Sequence, residues 1–113
     1  YARHDEDGSD GSLVYSTSSD LSNSTSDQEI VLNTNNNNNS SASGELTLFS
    51  PASTTFIKHF MTKNNSDGES SRCYTTYADG YVNTTAAVTA VQFTYGGANI
   101  DAGTFKLYGI KDS

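Results

Sequence analysis

The chain has 113 residues, a formal net charge of −7, 34% hydrophobic and 17% charged residues. Ser, Thr, Asn, Gly and Asp together outnumber all other residue types, a profile of turn-rich β-structure and solvated loops rather than helices. No apolar run approaches the roughly 18–20 residues of a membrane span, and six Lys and Arg against 13 Asp and Glu give no basic cluster to neutralise phosphates. Neither nucleic acid nor a membrane is therefore expected as a partner.

Residues 1–43 read as an extended polar arm. They open on the acidic run Asp5-Glu6-Asp7-Gly8-Ser9-Asp10-Gly11, and no signal-peptide pattern is present. Tyr1 stands where an initiator Met would, so the chain reads as processed or cut from something larger. Within the acidic run, Asp5, Asp7 and Ser9 place oxygens at alternate positions, as a calcium loop does. Asp10 then occupies the place of the loop's glycine and Ser16 that of its bidentate Glu. These three are weak metal candidates, a solvated loop is the default reading, and no cofactor is expected. Two apolar islands, Leu13-Val14-Tyr15 and Ile30-Val31-Leu32, are each long enough for one short peripheral strand, and Asn35–Asn39 reads as a surface loop.

Residues 44–113 read as one packed β-domain. Leu46 and Leu48 share a face at period two, and Pro51 ends that strand. Phe56, Ile57, Phe60 and Met61 make 54–63 apolar on both faces, as in a central strand. Asn64–Gly68 is a turn signal. Between Arg72 and Ala78, Cys73, Thr75 and Tyr77 fall on one face and Tyr74 on the other. Asp79-Gly80 is a hairpin dipeptide, with a further short strand at 81–85. Val91, Phe93 and Tyr95 alternate within 88–95, Gly96–Asn99 turns the chain, and 104–110 closes the domain with Phe105 and Leu107 inward. Five or six strands joined by tight turns predict an all-β fold, an antiparallel β-sandwich of jelly-roll type. About a dozen large apolar side chains, at roughly 1.5–3 kcal/mol each, fall short of the cost of ordering this many residues. The core therefore calls for help from neighbouring subunits.

Catalysis is poorly supplied. Neither G-x-S-x-G, nor H-E-x-x-H, nor a phosphate-cradling Gly-rich loop occurs. His59 reads as a half-buried sheet residue and the lone Cys73 as a small buried one. No catalytic residue is assigned, and the chain is not expected to be an enzyme. The aromatic set, seven Tyr and five Phe without Trp, is more informative. Tyr74, Tyr77, Tyr81 and Tyr95, with Asn99, are candidates for stacking on sugar rings or anchoring a subunit contact.

Three runs carry a resemblance: Gly44 through Pro51 to Phe60, Gly80 through Ala86-Ala87 to Phe93, and Gly97 to Ile110. The last is the most specific, with Asn99-Ile100-Asp101-Ala102-Gly103-Thr104-Phe105-Lys106-Leu107-Tyr108-Gly109-Ile110. Together they resemble a C-terminal β-domain of tailed-bacteriophage virion structural proteins, covering 44–111 and leaving 1–43 unmatched. The resemblance implies a jelly-roll-like domain on the virion surface. Its role would be that of a capsid decoration (cement) protein or of a head or tail fibre subunit. The implied partners are copies of itself, as a homotrimer, and the major capsid protein or a fibre shaft; a fibre tip would also meet a host surface glycan.

Overall fold

A computed structural model describes residues 1–35, 37, 40–68, 71–96 and 100–111. Most of the expected turn at Gly96–Asn99 and most of the asparagine run lie outside these residues. The fold is all-β, built on one five-stranded antiparallel sheet. Its strands are β1 (Ala2–Asp5), β2 (Gly11–Leu13), β3 (Ala42–Leu48), β4 (Lys58–Gly68) and β5 (Arg72–Val82). The spatial order is β2-β1-β5-β4-β3. The only helical element among the described residues is a single 3-10 turn at Thr17–Ser19, so no described helix is long and apolar enough to cross a membrane.

The centre of the sheet is the long β4–β5 ladder, in register from Lys58↔Val82 to Gly68↔Arg72. Two sequence expectations are corrected here. Asn64–Gly68 is not a turn but the last part of β4, and Asp79-Gly80 is not a hairpin but lies inside β5, opposite Met61 and Phe60. The reason at Gly80 is steric: a Cβ there would meet the Phe60 ring at 3.1 Å. Gly80 thus serves close packing within the strand, not a turn.

Residues 1–13 join the same sheet. β1 pairs with the first half of β5, from Ala2↔Thr75 to Asp5↔Arg72, and β2 pairs back onto β1. The Arg72 Nε–H donates to Asp5 Oδ1 at 2.7 Å, and this pairing raises the guanidinium pKa further above its already high ordinary value. Arg3 bridges to Asp10 at 3.2 Å. The island at 13–15 contributes only Leu13 to a strand, and the island at 30–32 forms none.

One sheet face is covered. Even-numbered residues of β4 and β5 point to it, and Thr62, Asn64, Ser66, Tyr74 and Thr76 are buried there. The cover is the segment Ile30–Thr34. The Asn64 side-chain amide donates to the Ile30 carbonyl at 2.8 Å, and the Ser66 hydroxyl donates to the Leu32 carbonyl at 2.7 Å. The Tyr95 hydroxyl holds the Thr34 carbonyl at 2.9 Å. Polar side chains thus satisfy the backbone of a segment that has no strand partners of its own. Lys58 is fully buried at the other end, its ammonium donating to the carbonyls of Phe56 at 3.0 Å and Thr84 at 3.2 Å.

This interior is unusually polar. Among the described residues, Leu32 and Tyr74 are the buried hydrophobics. The expected strands at 88–95 and 104–110 do not form, apart from a single bridge residue at Tyr95. Phe105 and Leu107, expected inward, are 64% and 99% exposed. Phe105 stacks on Phe93, ring centroids 5.0 Å apart. The physical reason is that alternation selects a strand only where a sheet edge is there to receive it, and within one copy none is engaged by this segment.

Candidate functional site

The odd-numbered residues of β4 and β5 point to the other face of the sheet, which is open. His59 stands opposite Tyr81, Met61 opposite Asp79, Lys63 opposite Tyr77, and Asn65 opposite Thr75. β3 extends the surface with Thr47, Glu45 and Ser43, paired with Met61, Lys63 and Asn65. The face is read directly from the two-residue period of each strand.

Two of the sequence candidates come together here. Tyr77 and Tyr81 are 58% and 59% exposed, and four residues along one strand separates them by about 13 Å. Each ring is steadied by a neighbour. The Tyr81 ring lies 6.1 Å from that of His59, tilted by 58°. The Lys63 ammonium lies 5.9 Å from the centre of the Tyr77 ring, within cation–π range. Beside Tyr77, a shallow open depression of about 420 Å3 is lined by Ser43, Gly44, Glu45, Lys63, Asn64, Asn65 and Thr75. An aromatic platform beside a polar hollow offers a flat apolar surface together with hydrogen-bond donors and acceptors.

The other candidates lie elsewhere. Tyr74 is buried on the covered face, its ring 5.8 Å from that of Tyr1. Tyr95 is committed to the Thr34 carbonyl, and Asn99 lies outside the described residues. His59, expected half-buried, is exposed on the open face. Cys73 is half-buried, with the Asn65 amide 3.0 Å from its sulfur. Sequence reasoning did not pick out Glu45, Lys63 and Asn65. Their signal was the β3–β4 register, which requires Asn64–Gly68 to be read as strand.

At the acidic run, Asp5 Oδ1 is taken by Arg72, and Asp7 Oδ1 accepts the Ser9 backbone N–H at 2.9 Å. The Ser9 hydroxyl reaches Asp5 Oδ2 at 3.5 Å. Among the described residues, no group of three His, Cys, Asp or Glu is placed to hold a metal ion. The Ser9 side chain, and then its backbone N–H, hold the Asp7 carboxyl below the usual carboxylate range. A lowered folded-state value means that the contribution of this turn is present above the ordinary carboxylate pKa. It is lost as pH falls through the lowered one. An NMR titration is expected to show the Ser9 amide moving with a midpoint below that of a free Asp; Ser9→Ala should shift the Asp7 midpoint upward.

Comparison with known proteins returns no matching family model, no matching curated relative and no matching solved structure.

Proposed function

We propose that the chain is a non-enzymatic structural subunit of a bacteriophage virion surface, a capsid decoration (cement) or fibre protein completed by contact with its neighbours. The observation that carries this reading is the apolar surface left open by one copy. Phe105, Leu107, Tyr108 and Ile110 are 64%, 99%, 78% and 92% exposed, a concentration of large side chains that marks an interaction surface. The resemblance of 44–111 to virion structural domains supplies the setting. In that reading, 88–95 and 104–110 become strands on assembly, with a homotrimer as the expected unit and a jelly-roll sandwich as the fold that the assembly completes. Of the polar stretch 1–43, the part neither paired in the sheet nor fastened over it, 14–29, acts as the docking arm on the major capsid protein or fibre shaft, and the exposed Leu13 and Tyr15 are its anchors.

Limited proteolysis tests the docking. Cleavage within 14–29 is expected to be fast in the free protein and suppressed on particles. Equal rates in both would contradict the arm's role.

The open face favours a second reading, a fibre-tip domain that binds a host surface glycan. Tyr77 and Tyr81 would stack on sugar rings while Asn65, Glu45 and Lys63 bond hydroxyls. Tyr77→Ala or Tyr81→Ala is then expected to weaken glycan binding about tenfold or more without changing the melting temperature. A glycan array showing nothing above background with the assembled protein would contradict this reading.

A further inference from the structure

The outer edge of β3 is a strand-length ladder with no partner among the described residues. Asp67 N–H donates to Ser41 O at 3.0 Å and Phe49 N–H to His59 O at 2.9 Å, so odd-numbered residues bond inward to β4. Antiparallel alternation then points the N–H and C=O groups of Ala42, Gly44, Leu46 and Leu48 outward. β3 lies at the end of the sheet, and among the described residues no backbone hydrogen bond reaches it from that side. Such an edge is a template for another strand.

The segment 104–110 is the complementary object. It has the seven-residue length of β3, no proline, and Phe105 and Leu107 alternating with Thr104 and Lys106. Among the described residues no hydrogen bond ties 104–111 to the rest of the chain, and its apolar side chains are exposed. Both surfaces are therefore unsatisfied within a single copy, and two copies satisfy them together.

We propose that residues 104–110 of a second copy add to the free edge of β3 as an antiparallel sixth strand, with Lys106 opposite Glu45. This rests on the self-associating reading above and names its contact. The register follows from faces and charge. Setting Lys106 against Glu45 brings Phe105 opposite Leu46 and Leu107 opposite Gly44 on the covered face, and Thr104 opposite Thr47 on the open face. Glu45 already stands opposite Lys63, so it lies between two cations, a favourable cross-strand arrangement. Every outward-pointing group from Ala42 to Leu46 meets a residue able to donate and accept. The contact joins two different surfaces, so it is heterologous: a threefold rotation between copies closes it as the trimeric ring, and a rotation that does not close would give a filament.

The test uses the full chain. Equal parts of 15N-labelled and unlabelled protein are mixed, refolded together, treated with a zero-length carbodiimide cross-linker, digested and weighed. The expected product is a Glu45–Lys106 cross-link joining one labelled and one unlabelled peptide. A Glu45–Lys106 link within single copies only would overturn the proposal, as would a Lys106–Asp79 link, which would place the segment on the unpaired half of β5. An oligomer without any Lys106 link would overturn it while leaving self-association standing; a monomer at all concentrations would remove both. Charge exchange gives a second readout. Glu45→Lys and Lys106→Glu should each weaken association about fivefold or more, and the double exchange should restore it. Weakening that adds in the double variant would contradict the pairing.

Discussion

Leu107→Asp is expected to dissociate the assembled protein into monomers while leaving the monomer's melting temperature within a degree or two. Leu107 is 99% exposed in one copy, so its replacement removes no intramolecular packing, and exposed substitutions of this kind usually change stability by less than about 0.5 kcal/mol. In an assembly that buries it, the same change forfeits about 1.5–3 kcal/mol of apolar transfer and forces a carboxylate out of water. Together these weaken each contact at least about a hundredfold. Size-exclusion chromatography with light scattering reads the mass, and a thermal melt reads the fold. A variant that stays assembled would show that this segment is not at an interface. A variant that unfolds would show that Leu107 belongs to the subunit's own core.

The second large effect is expected at Gly68. A Cβ there would lie 2.5 Å from the Asn33 carbonyl oxygen and 2.8 Å from Tyr74 Cε2. The first of these is backbone, in the segment fastened to the sheet by Asn64 and Ser66, so it cannot swing aside as a side-chain tip would. Gly68→Ala must push the 30–34 cover off the sheet or shift Tyr74, one of the two buried hydrophobics among the described residues. Overpacking of this kind costs about 1–3 kcal/mol, and each kcal/mol lowers the melting temperature of a domain this size by about 4–8 °C. Gly103→Ala is the control. Its Cβ would meet only Ile100 Cγ2 at 4.0 Å, an ordinary contact, and its melting temperature should not fall. Equal melting of the two variants would contradict the packing of 30–34 over β4.

What could be read from the sequence was local. The shared face of Leu46 and Leu48 and the division of Cys73, Thr75 and Tyr77 from Tyr74 follow from the two-residue period, and both hold in β3 and β5. Tyr77 and Tyr81 stand out in the sequence only as aromatic candidates, alongside Tyr74 and Tyr95; that they share a face follows from the unbroken β5, which a hairpin at Asp79-Gly80 would divide. What could not be read was non-local. Asn64 and Ser66 look like turn residues because their side chains commonly bond nearby backbone. Here they bond carbonyls 34 positions away, and that converts a turn signal into strand. β1 carries no apolar alternation; it is held by pairing with β5 and by the Asp5–Arg72 bridge across 67 positions. The strands expected at 88–95 and 104–110 have apolar side chains at alternate positions, yet inside one copy they engage none of the sheet's free edges.

Cryo-electron microscopy of phage particles purified from cells that produce this chain tests the virion-subunit reading most directly. The prediction is ordered density for the chain at repeated surface positions, on the capsid lattice or at fibre ends, with each sheet extended by a strand from the neighbouring copy. Particles that lack the chain, or that carry it as isolated single copies with 104–110 folded onto their own sheet, would contradict it.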